Sequence, residues 1–155
     1  MPPGKPHKHP EHHKTESDHA FNTPENATTA ISTCRSSLVH FTAGRVWRHI
    51  HPHGELEIKG TLKLGECEVL MLRFNPEDGS ILPKGLHALT EGRKDVIPQI
   101  ELRLIDICSD LSVLDGAEFR EPESCWAIPV AFKGRIVAHL KVSADGSRIL
   151  PEKIK

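Results

Sequence analysis

Between Val46 and Phe74 the apolar residues recur mostly at every second position. Period two places alternate side chains on opposite faces of an extended chain, so this stretch predicts strands with one face on a core. Val46 and Ile50 share one parity with the polar Arg48 between them, and Leu56, Ile58, Leu62 and Leu64 resume it after Pro52-His53-Gly54. Beyond a Gly65-Glu66 turn, Leu70, Leu72 and Phe74 continue the apolar face, while Val69 and Met71 make that strand apolar on both sides. Gly60 within the second strand predicts a bulge or a close backbone approach.

A second hairpin is predicted by Trp126 to Phe132 and Arg135 to Val142 about Lys133-Gly134. Pro129 lacks an amide hydrogen and assigns its strand to an edge or to a strand's irregular end. Asp145-Gly146-Ser147 then turns the chain into a short last strand ended by Pro151, with an exposed EKIK terminus.

Helical spacing occupies two other stretches. Thr23-Pro24-Glu25 is a helix start, with a hydroxyl cap, a proline at the first helical position and an acid. Ala30, Ile31, Cys34, Leu38 and Val39 follow at helical spacing, and Gly44 marks the expected end. From Asp95 to Leu114, Ile97, Ile100, Leu104, Ile107, Cys108, Leu111 and Leu114 fall on one helical face, with Gly116 as a left-handed cap. Alternation at Ile100, Leu102 and Leu104 also permits a strand; the length of the segment favours a central helix. Glu101, Asp106 and Asp110 would form its solvated face.

Residues 62–83 and 130–151 resemble each other. Val69 and Val137, Leu72 and Leu140, and Ile81-Leu82-Pro83 and Ile149-Leu150-Pro151 all stand 68 positions apart. Two register slips interrupt the match, so it reads either as an internal duplication or as two hairpins with the same turn chemistry. The resulting expectation is one α+β domain over 24–155, built from two antiparallel hairpin units around a central helix.

Composition narrows the function classes. The chain has 155 residues, a formal net charge of −1 and no tyrosine. Its basic residues are spread along the sequence, which argues against nucleic acid as a partner. No apolar run approaches the roughly 18 residues of a membrane span, and the first residues lack the apolar core of a signal peptide; both point to a cytoplasmic protein. Cys34, Cys67, Cys108 and Cys125 match neither a zinc nor a redox spacing and read as reduced packing residues. Nothing in the sequence specifies a protein partner or an oligomeric state.

Residues 1–23 cannot bury enough apolar surface to offset their ordering entropy and are expected to be disordered. They carry His7, His9, His12, His13 and His19. Neutral imidazoles at this density can ligate nickel, zinc or cobalt, and the composition resembles the histidine-rich tails of several bacterial metallochaperones.

A second constellation lies on the polar parity of the first strands. His49, His51 and His53 alternate, Glu55 continues their face, and His87 follows Pro83-Lys84-Gly85-Leu86. His49 and His51 with Glu55 and a later His87 resemble the cupin pattern, which implies one metal (iron, manganese, nickel or zinc) with an open position for chemistry. The sequence departs from that pattern in having no glycine closely before His49 and one residue fewer before His87. The bland reading makes these histidines the polar face of a half-buried strand, which Glu57 and Lys59 extend. Glu118, Glu121 and Glu123 form an acidic loop with no recognised cation-ligand spacing.

The leading expectation is a non-enzymatic accessory or binding module that sequesters or delivers a divalent transition metal through its N-terminal histidines. A cupin-like metal-dependent enzyme or small-ligand binder using His49, His51, Glu55 and His87 is the alternative, and a plain protein-interaction domain is a third.

Overall fold

A computed structural model describes residues 20–86 and 95–154. Helix α1 (Pro24–Leu38) is followed by strands β1 (Thr42–Ile50), β2 (Leu56–Leu64) and β3 (Cys67–Phe74). Helix α2 (Ile97–Ser109) is followed by β4 (Leu111–Val113), β5 (Glu118–Arg120), β6 (Cys125–Phe132) and β7 (Arg135–Ser143). All pairings are antiparallel, so the class is α+β. One sheet has the order β1-β2-β3; in the other, β4 and β5 share one side of β6 and β7 takes the other.

A side-chain cap starts the first helix, and an acid just before the second ties its start to the sheet. The Thr23 hydroxyl accepts the Asn26 amide at 3.2 Å. At α2 the Asp95 carboxylate accepts the Ile97 amide at 3.1 Å and ion-pairs with Arg48 of β1 at 2.8 Å, which ties this helix start to the first sheet.

The long hairpins carry matching irregularities. Register shifts after the Leu62–Leu70 pair in one sheet and after Val130–Ala138 in the other. Val69 and Val137, the residues left over, are both buried. Beyond β3, the Asn75 amide donates to Ser80 O at 2.7 Å and Leu82 to Arg73 O at 2.8 Å; beyond β7, Ser143 donates to Arg148 O at 2.9 Å and Leu150 to Lys141 O at 2.8 Å. Asp78 accepts from the Ser80 amide and hydroxyl at 2.9 and 2.7 Å, and Asp145 accepts from Ser147 at the same distances.

Each exit then crosses to the other sheet. The Lys84 amide donates to Ile136 O of β7, and the Glu152 amide to Glu68 O of β3, both at 2.8 Å. These crossings stitch the sheets together. Both sheets and both helices supply one hydrophobic cluster, which includes Ile58, Leu72, Phe74, Ile100, Leu104, Ile128 and Leu140. Gly146, at φ +80°, lies against α1 so closely that an added Cβ would stand 2.7 Å from Asn26 O and 2.8 Å from Ala30 N.

Several sequence expectations change. The central helix ends at Ser109 instead of Leu114, because Leu111–Val113 pairs with β6. The first helix stops at Leu38, and Gly44 lies inside β1. Ile50 is exposed at the end of β1, so only Val46 of that pair packs against the core. Gly60 marks a side-chain approach, since a Cβ there would lie 2.9 Å from the Phe74 ring.

Pro129 is neither at an edge nor at a strand end; it sits within the central strand β6. Its carbonyl accepts the Leu114 amide at 3.0 Å, so its missing donor faces the same side, where the neighbouring strand breaks between β4 and β5. The irregularity has moved to the neighbour. In the first sheet the β1–β2 register likewise shifts between Ala43 and Val46, beside Thr61.

Candidate functional site

His7, His9, His12, His13, His19 and His87 lie outside the described residues. The structure therefore places only His49, His51, His53 and Glu55 of the sequence candidates. His49 is on β1, paired with Glu57 of β2. His51 begins the turn: its amide donates to Glu55 O at 2.8 Å, and its carbonyl accepts the Gly54 amide at 2.8 Å. His53 is exposed at the turn's tip. The His49 and His51 rings meet edge to face, with centroids 4.8 Å apart.

The carboxylate that meets His51 belongs to Glu57. Glu57 Oε1 lies 3.4 Å from the buried His51 Nε2, without hydrogen-bond geometry. Arg73 Nε donates to Glu57 Oε2 at 2.9 Å, and Lys59 Nζ stands 3.6 Å from Oε1. Burial pushes the Glu57 carboxyl up, but Arg73, then Lys59 and His51, outweigh it and hold it below the usual carboxylate range. A carboxylate so held is a weak base at neutral pH, and two cations already occupy its surroundings. No group of three or more His, Cys, Asp or Glu side chains among the described residues has an arrangement that could hold a metal ion.

The same polar parity continues along the sheet. Glu68 accepts from Arg45 Nε at 2.8 Å and from the Thr61 hydroxyl at 2.6 Å, and the Arg45 guanidinium lies 4.3 Å from the centre of the Trp47 ring. Where the sheets join, Lys84 Nζ stands 2.9 Å from His139 Nδ1. With Lys84 charged, its ammonium donates to Nδ1 of a neutral imidazole. Burial, then Lys84 and Arg120, push the His139 pKa down; burial and Arg120 likewise lower that of Lys84.

Glu152, in the terminus expected to be exposed, is half-buried at this joint. Burial raises its pKa against the pull of Lys141, Lys84, Arg120 and Arg73. The cysteines divide. Cys34 is fully buried and its thiol is pushed up to about 12 by desolvation, Cys125 is buried, Cys108 is half-buried, and Cys67 is exposed, against the packing role expected of it.

Sequence reading missed Glu57, Arg73, Lys84 and Glu152 as interacting groups. One signal was present for the first: Glu57 stands between Leu56 and Ile58 on the parity of the strand histidines. Glu152 had no such signal, because its burial follows from the crossing of the last segment onto β3. No protein-family model, curated protein or solved structure matches this chain significantly.

Proposed function

We propose that the chain is a non-enzymatic binding or accessory module. Its framework is an α-β-β-β unit and an α-β-β-β-β unit related by internal duplication, β4 and β5 together standing in the place of β1, and its metal ligands are His7, His9, His12, His13 and His19. Two kinds of feature support the duplication. The exit hydrogen bonds repeat 68 positions apart and the Asp-turn bonds 67 apart, and the two crossings are reciprocal, Lys84 to Ile136 and Glu152 to Glu68.

The observation that carries the metal assignment is the engagement of the His-x-His pair. His49 packs on His51, His51 faces Glu57, and Glu57 is held by Arg73 and Lys59. A cation entering there would meet an ammonium and a guanidinium, whereas the N-terminal histidines carry the ligand density of the sequence. The delivered or sequestered ion is nickel, zinc or cobalt.

Equilibrium dialysis of tagless full-length protein against each metal, followed by elemental analysis, tests the reading. Changing all five N-terminal histidines to Gln should reduce uptake to background, while His51→Gln and His87→Gln should leave it intact. The reverse pattern replaces this proposal with the cupin-like site of His49, His51, Glu55 and His87. Equal uptake by every variant removes both metal sites and leaves a plain interaction domain.

A further inference from the structure

A cleft of about 350 Å³ opens where the first exit segment, α2 and the β6–β7 turn meet. Three cationic side chains line it: Arg103 from α2, Lys133 from the β6–β7 turn and Arg135 from the start of β7. Its apolar walls come from Ile81, Ile107 and Val137, and no acidic side chain lines it among the described residues. The size lies at the lower end of small-molecule pockets, and a few charged groups around an apolar floor suit an anion that carries an apolar body.

The other half of the molecule shows that the framework does not require these cations. Phe132–Arg135 closes the second hairpin turn as Leu64–Cys67 closes the first, so Lys133 and Arg135 correspond to Gly65 and Cys67. Arg103 donates to Gly79 O at 2.7 Å, the role that the Thr33 hydroxyl fills for Gly146 O at 2.6 Å. All three cations thus stand where the first hairpin and α1 have uncharged residues.

Lys133 adds a second, independent sign. Its φ is +50° and that of Gly134 is +81°, so a lysine takes the first left-handed position of this turn, at the place where the first hairpin has Gly65 at φ +63°. A lysine retained at a glycine position, with Nζ 5.3 Å from the centre of the Phe132 ring beside the cleft, points from strain to use.

We propose that this cleft binds a small organic anion, a carboxylate or phosphate on a compact apolar body, through Arg103, Lys133 and Arg135. The site is separate from the metal ligands proposed above.

Titration of full-length protein with 3-phenylpropionate, in buffer containing EDTA, tests it by calorimetry and amide chemical shifts. Inorganic phosphate and neutral 3-phenylpropanol serve as controls. Saturable binding is expected, with shifts centred on 79–83, 103 and 132–137. Lys133→Gly should raise the melting temperature while weakening binding about threefold, and K133G/R135Q should weaken it about tenfold. Both controls should bind more weakly than the carboxylate. No saturation, an unchanged affinity in the double variant, or equal binding of phenylpropanol or phosphate overturns the assignment. The gain in stability from K133G shows that any lost binding does not come from unfolding.

Discussion

The two halves of this molecule share the hydrogen bonds of their hairpin exits and crossings and differ in what those bonds carry. At the exits, Asp78 and Asp145 make the same two contacts to Ser80 and Ser147, and the bulges after Leu62 and Val130 bury Val69 and Val137 alike. In the core the halves exchange volume. Phe74 fills the space above Gly60 in the first half, and Ile128 and Val142 occupy the corresponding positions, 68 further on, in the second. On the surface they diverge outright: Lys133 and Arg135 replace Gly65 and Cys67, and Lys84 replaces what is Glu152 in the second exit. Shared positions are therefore framework. Positions that differ while the backbone stays the same are where binding chemistry is to be sought.

The comparison breaks most visibly in the core. Phe74→Val leaves a cavity and should cost about 2–3 kcal/mol, and Gly60→Ile forces a side chain into the Phe74 ring at a cost of about 3 kcal/mol. Urea unfolding of each variant measures both.

The turn glycines give a smaller, asymmetric effect. A Cβ on Gly146 meets rigid α1 backbone at 2.7–2.8 Å, whereas one on Gly79 meets the Arg103 side chain at 3.1 Å, which can move. Both carry left-handed strain, so Gly146→Ala should cost roughly 2–3 kcal/mol and Gly79→Ala about 1 kcal/mol. Equal losses would mean that the helices do not hold the two turns differently.

The hairpin turns should respond in opposite directions to reciprocal changes. Lys133→Gly relieves a left-handed lysine and should stabilise by about 0.5–1 kcal/mol, and Gly65→Lys should cost a similar amount. Melting curves of the pair check this.

The smallest effects are pH slopes, and they have opposite signs in two acids. Glu57, held low, contributes stability that is present above the ordinary carboxylate range and is lost as pH falls through its lower folded value. The stability gap between wild type and Glu57→Gln should therefore narrow on acidification. Glu152 is held high, so it weakens the fold above its raised value and that penalty disappears as pH falls toward the ordinary range. Glu152→Gln should thus be relatively more stable than wild type at neutral pH, with the advantage fading in acid.

Local features were legible in the sequence. The Thr23 cap, the two long hairpins with their glycine turns and the Asp-Gly-Ser exits all depend on contacts within a few residues. The α+β class followed from them. What was not legible depends on register and crossing. Pro129 reads as an edge residue until the break between β4 and β5 beside it is known. Glu57 becomes the partner of His51 only through the β1–β2 pairing, and Glu152 is buried only because its amide reaches Glu68 on the other sheet. The cleft needs a turn near 133 to meet an exit near 80, a contact that no spacing along the chain encodes.

The proposal behind this comparison is that one framework is built twice, with Phe74 over Gly60 in one half standing for Val142 and Ile128 in the other. A double-mutant cycle on Gly60→Ile and Phe74→Val tests it most directly, because the double variant gives the first half the core residues of the second. The cycle should show favourable coupling of about 1–3 kcal/mol, the double variant being more stable than the two single losses predict. Additive losses, or a double variant worse than their sum, would contradict the claim.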